Sequence, residues 1–136
     1  MQIFFTVISG VLIFVIGQAV QTFILKPIHD FKIVLGEISH KVKFHLNVIT
    51  NSGLREEMVR LSSGDMRDLS CQLESRYLAI PFNDFFGNIK VIPKRNNIKE
   101  AAEDLIQLSN ASGKRGYEEK NANAVNNLKK NLKIVL

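Results

Sequence analysis

The sequence predicts an all-α protein: an N-terminal single transmembrane helix followed by a small cytoplasmic helical bundle. Three observations carry this. No charged side chain occurs between Met1 and Leu25. The residues from Ile28 to Ile49 repeat their apolar positions at helical spacing. Turn-forming residues at Thr50-Asn51-Ser52-Gly53 and around Gly113 and Gly116 divide the rest into helix-length segments.

The span is expected over residues 1–25. Twenty-five helical residues reach about 37 Å, against a hydrocarbon core of about 30 Å. Ile3, Phe4, Phe5, Val7, Ile8 and the run Val11 to Ile16 supply apolar surface, while Gln2, Gln18, Gln21 and Thr22 gather toward the two ends. A cleaved secretory signal fits less well, because no basic segment precedes the apolar run and no A-x-A-like site follows it. Thr6, Gly10, Ile13 and Gly17 fall on one helical face, so Gly10 and Gly17 are candidate contact residues for a neighbouring helix.

Lys26, Lys32, Lys41 and Lys43 follow the span closely and no Lys or Arg precedes it. The positive-inside tendency therefore places the C-terminal part in the cytoplasm and Met1 outside, most simply at a bacterial inner membrane. A lone Cys71 is compatible with a reducing compartment.

The 136 residues, 46% hydrophobic, leave room for one small soluble domain after the span. The formal charge of +5 is uneven. Residues 26–50 hold four Lys against Asp30 and Glu37, and residues 114–136 hold six Lys or Arg against Glu118 and Glu119. The lysines beside the bilayer fit anionic lipid headgroups. Nucleic acid is not expected as a partner, because basic and aromatic residues are not interleaved and no reader motif occurs.

The expected organisation is residues 1–25 as the span, 26–113 as a cytoplasmic helical domain and 114–136 as a basic tail of marginal helicity. Pro27 is expected either to kink the helix or to restart it. Beyond it, Ile28, Phe31, Leu35, Ile38, Val42, His45 and Ile49 repeat at three and four, a heptad seam with one polar member. Phe31, Leu35, Ile38, Val42, His45 and Ile49 are its candidate interaction residues.

A helix is expected from about Leu54 to Leu78, with Leu54, Met58, Leu61, Leu69, Leu73 and Tyr77 on its apolar face and a break possible at Gly64. The proline-bracketed stretch from Ala79 to Pro93 reads as irregular, with a short strand possible at Ile89–Ile92. Phe82, Phe85 and Phe86 are expected to cap the core; the alternative is a contact patch for a partner or for the bilayer. Asn97 and Glu100 have the spacing of a capping box, so a helix is expected from about Ile98 to Asn110. In the tail Val125, Leu128, Leu132 and Val135 form one stripe, but the many asparagines weaken the helix.

No constellation points to catalysis. Glu37 and His40 have the Glu-x-x-His spacing of di-iron bundles, but no second such pair and no further carboxylate set accompanies them. Cys71 has no base or Cys-x-x-Cys partner near it, and no nucleophile elbow or phosphate loop occurs. No cofactor, metal site or enzyme activity is therefore expected. His45 is expected to be a hydrogen-bonded core residue that helps fix register, a pH-responsive role being the alternative. The function expected is that of a single-pass, membrane-anchored interaction or scaffold protein that self-associates or joins a membrane complex. The alternative is a membrane-perturbing effector, of toxin or defence type, triggered through its cytoplasmic domain.

Overall fold

A computed structural model describes residues 1–136, all helix and connecting turns with no strand. The first helix is continuous from Gln2 to Thr50, 49 residues or about 73 Å of rod. It comprises α1 (Gln2–Val20), one π-helical segment (Gln21–Leu25) and α2 (Lys26–Thr50).

The π segment explains how the helix passes Pro27, which was expected to kink it or restart it. Proline has no N–H and its ring collides with the carbonyl four residues back, here that of Phe23. The Lys26 amide donates to Gln21 O, five residues back. The wider turn gives the ring room, and Lys26 stays helical at φ −62°, ψ −50° although it precedes a proline.

Four further helices follow: α3 (Glu56–Leu78), α4 (Asn83–Asn88), α5 (Arg95–Ala111) and α6 (Glu118–Leu132). Long helices run alternately away from and back toward α1. Asp30 on α2 meets Arg76 near the end of α3 at 3.9 Å, and Lys41 meets Asp65 at 3.0 Å, so α2 and α3 are antiparallel. Ser70 on α3 donates to Ala102 O on α5, and Asn131 on α6 donates to Glu100 on α5. The packed pairs α2–α3, α3–α5, α5–α6 and α6–α2 close a ring.

One apolar core fills that ring. Phe31, Ile38, Val42 and Ile49 enter from α2, Met66, Leu69 and Leu73 from α3, Leu105 and Leu108 from α5, and Leu128 and Leu132 from α6. Each such side chain contributes about 1.5–3 kcal/mol on full burial. Phe31 and Tyr77 meet edge to face at 5.8 Å at the end nearer α1.

The α3–α5 contact is made with small residues. Ser63 Oγ donates to Ser109 O while Ser109 Oγ donates to Ser63 O at 2.8 Å, and Ser62 and Ala101 are fully buried alongside. Leu69, Leu73 and Tyr77 are buried as expected, but Ser62, Met66 and Ser70 join them, and Met58 and Leu61 in the first turns are exposed. The helix starts at Glu56 and runs unbroken through Gly64.

Three other local expectations are corrected. Ile89–Ile92 is a turn, since a strand there has no neighbour to pair with. The capping box is not formed, because α5 already begins at Arg95 behind Pro93. Asn97 and Glu100 lie inside the helix and instead bond the end of α6, Asn97 to Asn131 O at 3.5 Å and Glu100 to the Asn131 amide at 3.1 Å. In the tail, α6 is packed against α5 and α2, and residues 133–136 turn back along α2, where Ile134 and Leu136 touch the core. Val135, expected on the buried stripe, is exposed, and its carbonyl accepts from Ser39 Oγ.

Candidate interaction surfaces

In α1 no residue is buried. A methyl group added to Gly10 or Gly17 would meet nothing within 4 Å, so the small-residue face is open along its length. Toward Lys26, exposed Gln18, Gln21 and Thr22 line, with Gly17, Lys26 and His29, a shallow polar groove along the helix.

The heptad seam of α2 faces the interior of the helical ring. Phe31, Ile38, Val42, His45 and Ile49 are buried in the chain's own core, and Leu35 is half-buried against it. These six therefore pack within the chain itself. A three-four repeat specifies a buried helical face without specifying whose residues bury it.

His45 does sit within the packed core, with only 5% of its surface exposed. Its Nε2 lies 2.6 Å from Asp65 Oδ2, and Lys41 Nζ donates to the same oxygen at 3.0 Å. Burial raises the Asp65 carboxyl, but the hydrogen bonds and positive charge from His45 and Lys41 outweigh it and hold the group below its ordinary value. An ionised carboxylate accepts only, so Nε2 carries the proton. Asp65, which follows the possible break at Gly64, is not singled out by the sequence. The signal was present: His45 and Lys41 are four apart on one face of α2, and an antiparallel α3 brings an acid to their level.

Glu37 and His40 remain at the surface, His40 stacked on Phe44 with ring centres 6.3 Å apart. No group of three or more His, Cys, Asp or Glu residues is arranged to hold a metal. Cys71 is exposed on α3.

The connector between α3 and α5 carries the most apolar exposed surface outside α1. Phe82 is 76% exposed and Phe85 60%, contrary to the expected capping role; Phe86 alone of the three packs against the core. Phe82 stands in the left-handed region at φ 55°, as does Lys90 at φ 64°, a conformation costing about 1–2 kcal/mol for a residue with a Cβ. The connector is nonetheless well braced. Phe86 O accepts from Val91 N at 3.0 Å, Ile89 N bonds Phe85 O at 3.1 Å, and Gly87 is buried against the backbone of Pro93 and Lys94. Burial raises the hydroxyl of Tyr77 beneath it, and Asp84 adds to the effect.

At the opposite end of the ring, buried Asn121 gathers the helix termini. Its Nδ2 donates to Ile49 O at 2.8 Å and Ala111 O at 3.2 Å, the final turns of α2 and α5. No family model, curated protein or solved structure matches the chain.

Proposed function

We propose that the chain is a single-pass, membrane-anchored interaction protein whose four-helix bundle stands in the cytoplasm and which self-associates or joins a larger membrane complex. One observation carries the reading: α1 is long, apolar and without a buried residue, while the helices beyond it enclose a core of their own. Apolar surface on that scale favours a hydrocarbon surrounding over water. With the heptad seam used internally, the faces left for partners are the open Gly10 and Gly17 side of α1 and the connector around Phe82 and Phe85.

The sole cysteine, exposed Cys71, makes the test direct. The full chain should resist carbonate extraction from membranes, and an impermeant maleimide should label Cys71 only after the cells are permeabilised. Native mass spectrometry from mild detergent should return more than one chain, and Gly10→Leu with Gly17→Leu should shift a homo-oligomer toward monomer. Recovery from the soluble fraction, or a monomer without companions, defeats the proposal.

The exposed polar stripe of Gln18, Gln21 and Thr22 favours a second reading, a membrane-perturbing effector whose assembled spans turn that stripe toward a shared axis. Forced expression that collapses the membrane potential selects this reading; harmless accumulation selects the first.

A further inference from the structure

We propose that the α3–α5 connector is a second membrane contact: Phe82, Phe85, Ile89 and Val91 lie in the interfacial layer of the bilayer that α1 crosses, with Lys90, Lys94 and Arg95 among anionic headgroups. The inference rests on the membrane-anchored reading above and adds to it a lipid-facing surface on the helical ring.

The position of the connector follows from the register of α2 and α3. Asp30 faces Arg76, so in an antiparallel pair Leu78, the last residue of α3, stands level with Ile28. That is two residues, about 3 Å along the axis, from Lys26. The chain then passes through Ile80, buried in the core, to exposed Phe82. Ile24, still within the apolar segment, packs against the same core. The end of the ring is thus flush with the end of the span, and whatever projects from that end meets the boundary of the bilayer.

What projects is apolar and fixed. Phe82, Phe85, Ile89 and Val91 are all exposed, together with Leu78 at the end of α3. Phe82 holds its place in a left-handed backbone conformation, and the Phe86 ring, packed edge to face on Phe85 at 5.6 Å, ties the segment to the core. Aromatic side chains beside cations are the composition that interfacial segments favour. Lys90, Lys94 and Arg95 are exposed around the patch, against Asp84, which Arg95 approaches to 3.7 Å. The exposed apolar residues of α3's first turns, Met58 and Leu61, lie at the far end, about 30 Å along α2 from Lys26, where no bilayer is within reach.

The test uses the full chain in vesicles of phosphatidylcholine and phosphatidylglycerol containing a lipid with a nitroxide on its acyl chain. An environment-sensitive dye is attached to one cysteine at a time, Phe85→Cys, Leu61→Cys or Phe14→Cys, each in a Cys71→Ser background. Phe85→Cys should be blue-shifted and quenched by the nitroxide several-fold more than Leu61→Cys, and Phe14→Cys should be quenched strongly. Quenching at Phe14→Cys with none at Phe85→Cys leaves the anchor intact and overturns the connector's contact. No quenching at Phe14→Cys defeats the anchor itself and the connector's contact with it. A blue shift at Phe85→Cys without quenching means that protein, such as a second copy of the chain, covers the face, and overturns the lipid assignment. Replacing Lys90, Lys94 and Arg95 together by Gln should weaken quenching at Phe85→Cys; unchanged quenching overturns the headgroup role.

Discussion

Asn121→Ala should destabilise the helical ring more than any other polar-to-alanine change on α6. The side chain is 1% exposed, and its amide serves Ile49 O at 2.8 Å and Ala111 O at 3.2 Å. Both carbonyls lie in last turns, where no intrahelical donor is available. Ala111 O also accepts from the Lys114 amide at 3.2 Å, so truncation orphans Ile49 O alone, at a cost of about 1–1.5 kcal/mol, and takes a smaller amount at Ala111 O. Asn121 Oδ1 itself has no partner, and removing it recovers a fraction of that loss. A net destabilisation of about 1 kcal/mol follows, lowering the melting temperature by roughly 3–6 °C for a domain of this size. Thermal melting of the full chain in nonionic detergent, followed by circular dichroism, measures it. Asn121→Asp should be worse near neutral pH, because a carboxylate cannot donate and would face two carbonyl oxygens. An Asn121→Ala protein that melts with wild type, or an Asn121→Asp protein that is no worse than it, refutes the account.

Two further perturbations probe other parts of the ring. Gly113 stands at φ 71°, and an added Cβ would lie 2.5 Å from Val59 Cγ2. Gly113→Ala should therefore cost about 1 kcal/mol for the backbone conformation and a similar amount for the clash; in a Val59→Ala background only the first part should remain, and a double-mutant cycle that closes additively removes the steric explanation. Asp104 is raised from 3.8 to about 6, chiefly by burial, against a hydrogen bond from Asn127, with Glu100 and Glu103 adding to the rise. The folded state binds this proton more tightly than the unfolded chain does, so the group favours folding below pH 3.8 and that contribution is lost as pH rises through about 6. Asp104→Asn should be more stable than wild type by about 1 kcal/mol at pH 8, after screening at a partly exposed site, with the advantage fading toward pH 4; equal melting temperatures at both ends of that range exclude it.

The helical class, the apolar N-terminal helix and the inward set on α2 were all legible, because each follows from spacing along a single element. Ile28, Phe31, Ile38, Val42, His45 and Ile49 point inward as the three-four repeat requires. What the repeat could not say was whose core they fill, and that decides whether they are a docking seam or the interior. On α3 the expected face holds for Leu69, Leu73 and Tyr77 and fails in the first turns, at Met58 and Leu61, for a related reason. Hydropathy ranks Met58 and Leu61 above Ser62 and Ser70, but α3 and α5 meet through reciprocal serine bonds at Ser63 and Ser109, and small polar residues win the inner positions. Asparagines made α6 look weak by propensity. Two of them, Asn121 and Asn131, bond other helices, and tertiary contact supplies the order that the local sequence lacks.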